Sequence, residues 1–305
     1  MRVRHLPTFV SVEPANYCQL RCPECPVGQR ESRSDTSPSA SHHYPRQLLS
    51  LDAFRRVLVQ VQGSAHTMQF YFQGEPLLNP ALPEMIALAH RANLYTIVST
   101  NAQALTQDMA ERLVVAGLSR IIVSIDGFTP ESYAAYRVGG HLPLALDGLR
   151  YLREAKDKHH SSIRIELQVL RLSTNETEWT WIRRHYRQLG ATRLTFKTAQ
   201  LYDYRHGNPL MPSDPRYSRY RLGADGLYHL HRPHHRSCYR LWSGCVITTN
   251  GTVLPCCYDK AATYPLGNIL EKPLQTIWHS HTADAFRSIV LRKGYRPAMC
   301  GECNF

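Results

Sequence analysis

Nine cysteines stand at positions 18, 22, 25, 238, 245, 256, 257, 300 and 303, and the 212 residues between Cys25 and Cys238 contain none. The count is odd and the chain, at 305 residues, is long. A disulfide framework suits small exported domains instead. Two tight clusters read as metal or iron–sulfur ligation. Cys18, Cys22 and Cys25 form C-x3-C-x2-C. Three thiolates are one short of a structural zinc site, unless His42, His43 or a distant Cys completes it. A [4Fe–4S] cluster held by three thiolates leaves one iron open to a small molecule. The chemistry that needs an open iron is reductive cleavage of S-adenosylmethionine (SAM). The iron chelates the methionine amine and carboxylate, one electron breaks the S–C5′ bond, and a 5′-deoxyadenosyl radical takes hydrogen from an unactivated C–H bond. The cofactor carries that chemistry, and the protein positions and shields it.

Cys238, Cys256, Cys300 and Cys303 make a second group, C-x17-C-x43-C-x2-C. Four thiolates suit zinc as well as a second iron–sulfur cluster. Cys257 adjoins a proposed ligand and has three readings: the ligand in place of Cys256, a buried bystander, or a hydrogen-atom donor to a substrate radical. Cys245, at the start of a strand, reads as packing.

The elements that must hold these residues follow a rhythm. Strands are expected at 8–14, 68–73, 95–100, 120–126, 164–172 and 193–199. Helices are expected at 49–61, 80–92, 106–117, 142–157 and 177–190, with Ser50 and Thr106 as N-caps and Gly117 as a stop. Alternation at these lengths argues for parallel βα units, and six strands suit a partial barrel. The Ser-, His- and Pro-rich stretch 31–46 reads as a loop or lid. After residue 205 the rhythm breaks, and 206–236 reads as a linker into a smaller domain. VITTNGTVLP (246–255) reads as a hairpin with a type I′ turn at Asn250-Gly251. Residues 273–292 read as one helix, and Trp242 and Trp278 as core of the small domain.

These motifs together resemble the radical SAM superfamily: C-x3-C-x2-C after a first strand, QGEPLLNP at 73–80, STN at 99–101 and VSIDG at 123–127. The resemblance covers residues 8–205, in the family's order. It implies an α/β fold, a (β/α)6 partial TIM barrel, with Cys18, Cys22 and Cys25 holding a SAM-binding [4Fe–4S] cluster at the C-terminal mouth. It also implies an electron donor such as flavodoxin or ferredoxin. Gly74 and Glu75 match the Gly-Glu-Pro segment that approaches the methionine amine. Asn101 closes the third-strand segment beside the cofactor. Ser124 and Arg137 sit where such enzymes meet the SAM carboxylate or ribose, and Leu170 is placed to reach the adenine. Asp126 reads equally as a cap on the next turn. Three positions depart from the pattern. Glu24 stands where an aromatic residue before the third Cys is common, Gln73 replaces a Gly, and Ala102 stands where Gly is common. All three fall on the adenine and ribose side of the site.

The stretch CYRLWSGCVITTNGTVLPCCYD, LGNI at 266–269, IWHS at 277–280 and the final CGEC resemble the SPASM/twitch accessory domain. The four-cysteine spacing is similar to the shorter twitch form. It implies one auxiliary [4Fe–4S] cluster on Cys238, Cys256, Cys300 and Cys303, in a small C-terminal domain with a β-hairpin. The expected domains are 1–205 and 206–305.

Composition narrows the function. The chain is 43% hydrophobic and 20% charged, with a net charge of +12, which excludes global disorder. No apolar run is long enough to span a membrane and no export signal is visible, so the expected place is the cytoplasm. Lys and Arg are scattered without an RNA-binding signature, so nucleic acid is not the expected partner. HLHRPHH (229–235) reads as an exposed basic loop or a pocket lining. Tyr202, Asp203 and Tyr204 are expected to face the barrel mouth and substrate. The resemblance implies hydrogen abstraction from a substrate C–H bond. Because the chain starts close to its first strand, with no room for an appended leader-binding domain, the expected substrate is a small carbohydrate-like molecule, oxidised or epimerised. The alternative is modification of a ribosomally synthesised peptide. A different class, a non-catalytic or RNA-binding zinc protein, is separated by colour.

Overall fold

The computed structural model describes residues 5–32, 45–231, 238–292, 297–301 and 303. The stretches 31–46 and 229–235, His42 and His43 included, lie wholly or largely outside them. Six parallel strands, β1 (Phe9–Val12), β2 (Thr67–Phe70), β3 (Tyr95–Thr100), β4 (Arg120–Ser124), β5 (Arg164–Arg171) and β6 (Arg193–Thr198), pair in sequence order. Helices α1 (Pro26–Ser32), α2 (Leu51–Val61), α3 (Leu82–Arg91), α4 (Gln107–Val115), α5 (Pro130–Tyr136), α6 (Leu142–Lys158) and α7 (Trp179–His185) connect them. This is the α/β, partial-barrel arrangement expected from the alternation.

Side chains alternate across each strand. Val10, Val12, Met68, Phe70, Val98, Ile121, Val123, Ile165, Leu167 and Val169 join Phe54, Met85, Leu113 and Leu149 of the helices in one buried core. The opposite, concave face carries Ser11, Gln69, Ser99, Ser124, Glu166 and Gln168 beside Ile97 and Ile122. Ser50 Oγ accepts from Ala53 N at 3.1 Å and Thr106 Oγ1 from Met109 N at 3.1 Å, as the N-cap reading required.

The rest of the chain departs from expectation in four ways. Within 206–236, β7 (Tyr220–Leu222) and β8 (Tyr228–Leu230) form an antiparallel hairpin. With Leu201, Tyr204 and Leu210 they roof a second apolar cluster containing Leu20 and Cys22. After α8 (Arg240–Ser243), β9 (Gly244–Ile247) and β10 (Thr252–Leu254) form the predicted hairpin, but β9 also pairs in parallel with β1, Val10 opposite Cys245. With β11 (Gly267–Asn268), one nine-stranded sheet therefore crosses the expected boundary near 205, in the order β11-β10-β9-β1-β2-β3-β4-β5-β6.

The hairpin turn is also corrected. Thr248 N donates to Thr252 O at 3.0 Å, leaving three residues between that bonded pair, and only Gly251 there has positive φ, +84°. Asn250 instead spends its Oδ1 on Thr248 Oγ1 (2.6 Å) and Thr252 Oγ1 (2.9 Å), which fixes the longer loop. Finally, the helix expected over 273–292 is two: α9 (Leu274–Trp278) and α10 (His281–Leu291), divided because Ser280 caps Ala283 N at 3.2 Å. A short α11 (Ala298–Gly301) follows. Trp278 is buried, its Nε1 on His5 O at 3.0 Å, and Trp242 packs against the same core. No helix among the described residues is long and apolar enough to cross a membrane.

Candidate active site

Every element of the site leaves the C-terminal end of a barrel strand, where strand ends converge and loops vary. The loop after β1 carries Cys18 and Cys22, and Cys25 stands immediately before α1. Leu20 N points at Cys18 Sγ (3.4 Å), Asn101 Nδ2 at the same sulfur (3.3 Å), and Arg137 Nη1 at Cys22 Sγ (4.0 Å). Burial and the nearby Glu75 push the Cys18 thiol up to about 12, and burial raises Cys22 as well. A cation beside the raised Cys18 and Cys22 thiols would favour their thiolate forms, which is what iron would supply there. Among the described residues no three His, Cys, Asp or Glu side chains are gathered tightly enough for a single ion; His42 and His43, the other ligands a zinc site would use, lie outside them.

Gly74 has φ of +67°, and a Cβ there would stand 2.3 Å from Ala15 O and 2.7 Å from Tyr17 O. The Gly-Glu turn thus lies directly on the chain entering the cysteine loop, with Glu75 N on Tyr17 O at 2.8 Å. Glu75 is buried. Its Oε1 accepts from Thr100 Oγ1 (2.6 Å) and Leu77 N (3.1 Å), and its Oε2 from Asn101 N (2.8 Å). Burial raises its pKa, against those hydrogen bonds. Its visible work is to join the end of β2 to the end of β3 and to place Asn101 on Cys18.

Asp126 is fully buried and does more than cap a turn. Its Oδ2 lies 2.6 Å from Arg137 Nη2 and its Oδ1 accepts from Leu170 N at 2.6 Å. One carboxylate thereby positions two of the proposed cofactor residues. Burial works against the charge of Arg137, but Asp126 and Cys22 hold its pKa above the ordinary range. Ser124 sits beside them on the concave face, accepting from Gln168 Nε2 at 3.5 Å.

On the auxiliary side, Cys238, Cys256, Cys257, Cys300 and Cys303 are all partly buried. Cys245 is 3% exposed in the apolar core beneath β1, and burial pushes its thiol up to about 12, which bears out the packing reading. Cys257 receives a hydrogen bond from the Cys256 thiol, Arg240 Nη1 lies 3.7 Å from its sulfur, and Lys260 is close by. Against burial, these hold Cys257 down at about 6, while the shared proton and burial hold Cys256 up.

Several side chains went unnoticed in the sequence. Lys260 Nζ donates to Phe72 O at 3.1 Å and sits over the Phe72 ring. It feels the charges of both Cys25 and Cys257, so it stands between the two cysteine groups. Glu13 and Lys260 face a cavity of about 200 Å³ between the end of β1 and the hairpin, with Gln73, Thr249 and Asn250. Arg120 and Glu166 pair at 2.5 Å on the concave face. An acid flanked by Ile165 and Leu167 in RIELQVL was the available signal. Tyr202 and Asp203 are exposed and Tyr204 is half-buried.

The chain belongs to the radical SAM superfamily, whose profile matches residues 12–165. The SPASM profile, an iron–sulfur cluster-binding domain, matches 238–304. The chain is thus a radical SAM enzyme with a C-terminal SPASM domain, and its cofactors are SAM, a SAM-binding [4Fe–4S] cluster and an auxiliary iron–sulfur centre. The donor set described above fits them. The PqqA peptide cyclase of Ruegeria pomeroyi is 25% identical over 98% of this chain and 80% of its own length. SuiB of Streptococcus suis bound to its precursor peptide SuiA superposes with a TM-score of 0.59 at 14% identity, over 98% of this chain and 71% of that one. BtrN in complex with AdoMet and 2-DOIA gives 0.55 at 19% identity, over 93% and 87%. The likeness of this chain to both structures is one of fold.

Proposed function

We propose that the chain modifies a peptide by hydrogen abstraction from one of its C–H bonds. The observation that carries this is the likeness to PqqA peptide cyclase along 98% of the chain. It favours the peptide alternative over the carbohydrate-like substrate expected from the sequence, since the likeness to BtrN is one of fold. When bound, the SAM-loaded cluster supplies a 5′-deoxyadenosyl radical at the barrel mouth. The chain's own residues do the rest. Cys18, Cys22 and Cys25 hold the cluster, and Gly74, Glu75, Asn101, Ser124, Arg137 and Leu170 surround the place of SAM. Cys238, Cys300, Cys303 and one of the adjacent pair hold the auxiliary centre. Of that pair we take Cys257, whose sulfur Arg240 Nη1 approaches at 3.7 Å. Under this assignment substrate oxidation, with the auxiliary centre taking the electron, is favoured over hydrogen return from Cys257. The electron donor is a flavodoxin or ferredoxin and the place of action the cytoplasm. Residues 1–205 and 206–305 are two functional units that share one sheet.

The test is anaerobic turnover with SAM and dithionite, with synthetic peptides translated from the reading frames flanking the gene, and with a set of aminocyclitols in parallel. A peptide should raise 5′-deoxyadenosine release above the substrate-free rate and change in mass. Stimulation by an aminocyclitol alone would overturn the peptide reading. Turnover in deuterium oxide then separates the two endings, since a return from an exchangeable thiol adds one mass unit.

A further inference from the structure

Glu24 lies between two cluster cysteines, yet its carboxylate is turned away from them. Its Oε2 accepts from Tyr202 N at 2.8 Å and its Oε1 from Asn208 Nδ2 at 3.0 Å. Both contacts cross from the loop after β1 to the loop after β6, the two ends of the six-stranded open barrel, which no strand pairing joins among the described residues. Asn208 in turn donates to Asp203 O at 3.0 Å and accepts from Leu210 N at 2.9 Å. The Tyr220 hydroxyl bonds both backbone atoms of Leu201, at 2.8 and 2.9 Å. The loop is therefore fastened on both sides of Tyr204.

Tyr204 lies against the Tyr220 ring, centroids 4.2 Å apart and planes 19° from parallel. It packs on the same apolar cluster as Cys18, Cys25 and Leu170. A molecule chelated at the open iron by its methionine end must lay its purine on surface beside the cysteine loop. A purine in such a crevice is held best by stacking on an aromatic face.

We propose that Tyr204 forms the aromatic wall of the adenine pocket, and that Glu24 is the positioning residue that holds it there. Glu24 acts through the loop, with each of its oxygens accepting from it. Leu170, fixed by Asp126 through its backbone N–H, supplies an apolar neighbour. This inference uses only the SAM chemistry of the superfamily and is independent of the peptide reading.

The experiment measures equilibrium binding of SAM to the cluster-loaded protein without reductant or substrate, so that no turnover occurs. L-methionine, which chelates but has no purine, is the second probe, and iron content is recorded for each variant. Tyr204→Phe should bind SAM within about twofold of wild type, and Tyr204→Ala about tenfold or more weakly. Tyr204→Leu, which keeps an apolar contact with Tyr220, should behave like Tyr204→Ala and decides the matter if the alanine variant loses iron. Glu24→Gln puts a donor opposite a donor at one of its two contacts, and should weaken SAM about three- to tenfold. Added to Tyr204→Ala it should cost less than about twofold more, because it acts through the tyrosine. Methionine binding should be unchanged throughout. SAM binding within twofold of wild type in Tyr204→Leu, a parallel loss of methionine binding, or an additive double variant would each overturn the proposal.

Discussion

Asp126 shows how a residue can be legible while its task is not. The VSIDG segment marks it, but its partners lie elsewhere: Arg137 on the C-terminal side of α5 and Leu170 at the end of β5. Only the fold brings those positions together. Asp126→Asn keeps an acceptor for Leu170 N but leaves the largely buried Arg137 without its counter-charge, a change that costs about 3–5 kcal/mol when a fully buried pair is broken. The apoprotein should unfold at clearly lower denaturant, and an unchanged midpoint would show that the pair is not needed for stability. The cysteines, by contrast, were read directly from spacing, because three thiolates on one loop have few other uses. What spacing left open was the choice between Cys256 and Cys257, since it depends on cations brought from α8 and from the loop after β10. In apoprotein the alkylation rate of Cys257 should rise with pH through about 6, the value to which its surroundings lower it. A thiol depressed in this way is a thiolate above that pH. Arg240→Ala should move the midpoint upward, and a midpoint in the ordinary thiol range for wild type would reject the assignment.

At the scale of elements, the βα units were legible because apolar period and capping residues agree at each one. The misses share a cause, which is that local signals are weak where long-range contacts decide. β7 and β8 are three residues each and lie among prolines and glycines. They form because Tyr220 buries its ring and its hydroxyl clamps Leu201, a partner 19 residues away. The turn of the β9–β10 hairpin was misread because Asn-Gly ordinarily signals a two-residue turn, whereas the flanking threonines here compete for Asn250. Gly74 is the element-scale position with least freedom. Gly74→Ala puts a methyl 2.3 Å from Ala15 O at positive φ, so the turn must move off the cysteine loop. The variant should keep only the auxiliary centre's iron, about four of about eight for two [4Fe–4S] clusters. Full iron content in the variant would mean the loop tolerates the shift.

Across the whole molecule, the sheet is the device that brings the two cysteine groups together. β9 lies on β1, so the loop entering the first cluster and the hairpin leading to Cys256 rise side by side, and Lys260 stands between the groups. Composition suggested two units; it could not show that they share a sheet, because pairing between β1 and β9 joins residues more than 230 positions apart. Removing 299–305 takes away Cys300 and Cys303 and should abolish the auxiliary centre while the barrel cluster, held on residues of another loop, keeps about four irons. Unchanged iron after truncation would count against C-terminal ligation. The most direct measurement of the central claim, that Cys18, Cys22 and Cys25 hold the centre that cleaves SAM, is 5′-deoxyadenosine formation under dithionite by anaerobically reconstituted wild type and by the variant with all three changed to Ala. Wild type should form it, and the variant should form none while retaining about four irons on the auxiliary side. Formation of 5′-deoxyadenosine by the triple variant would contradict the account.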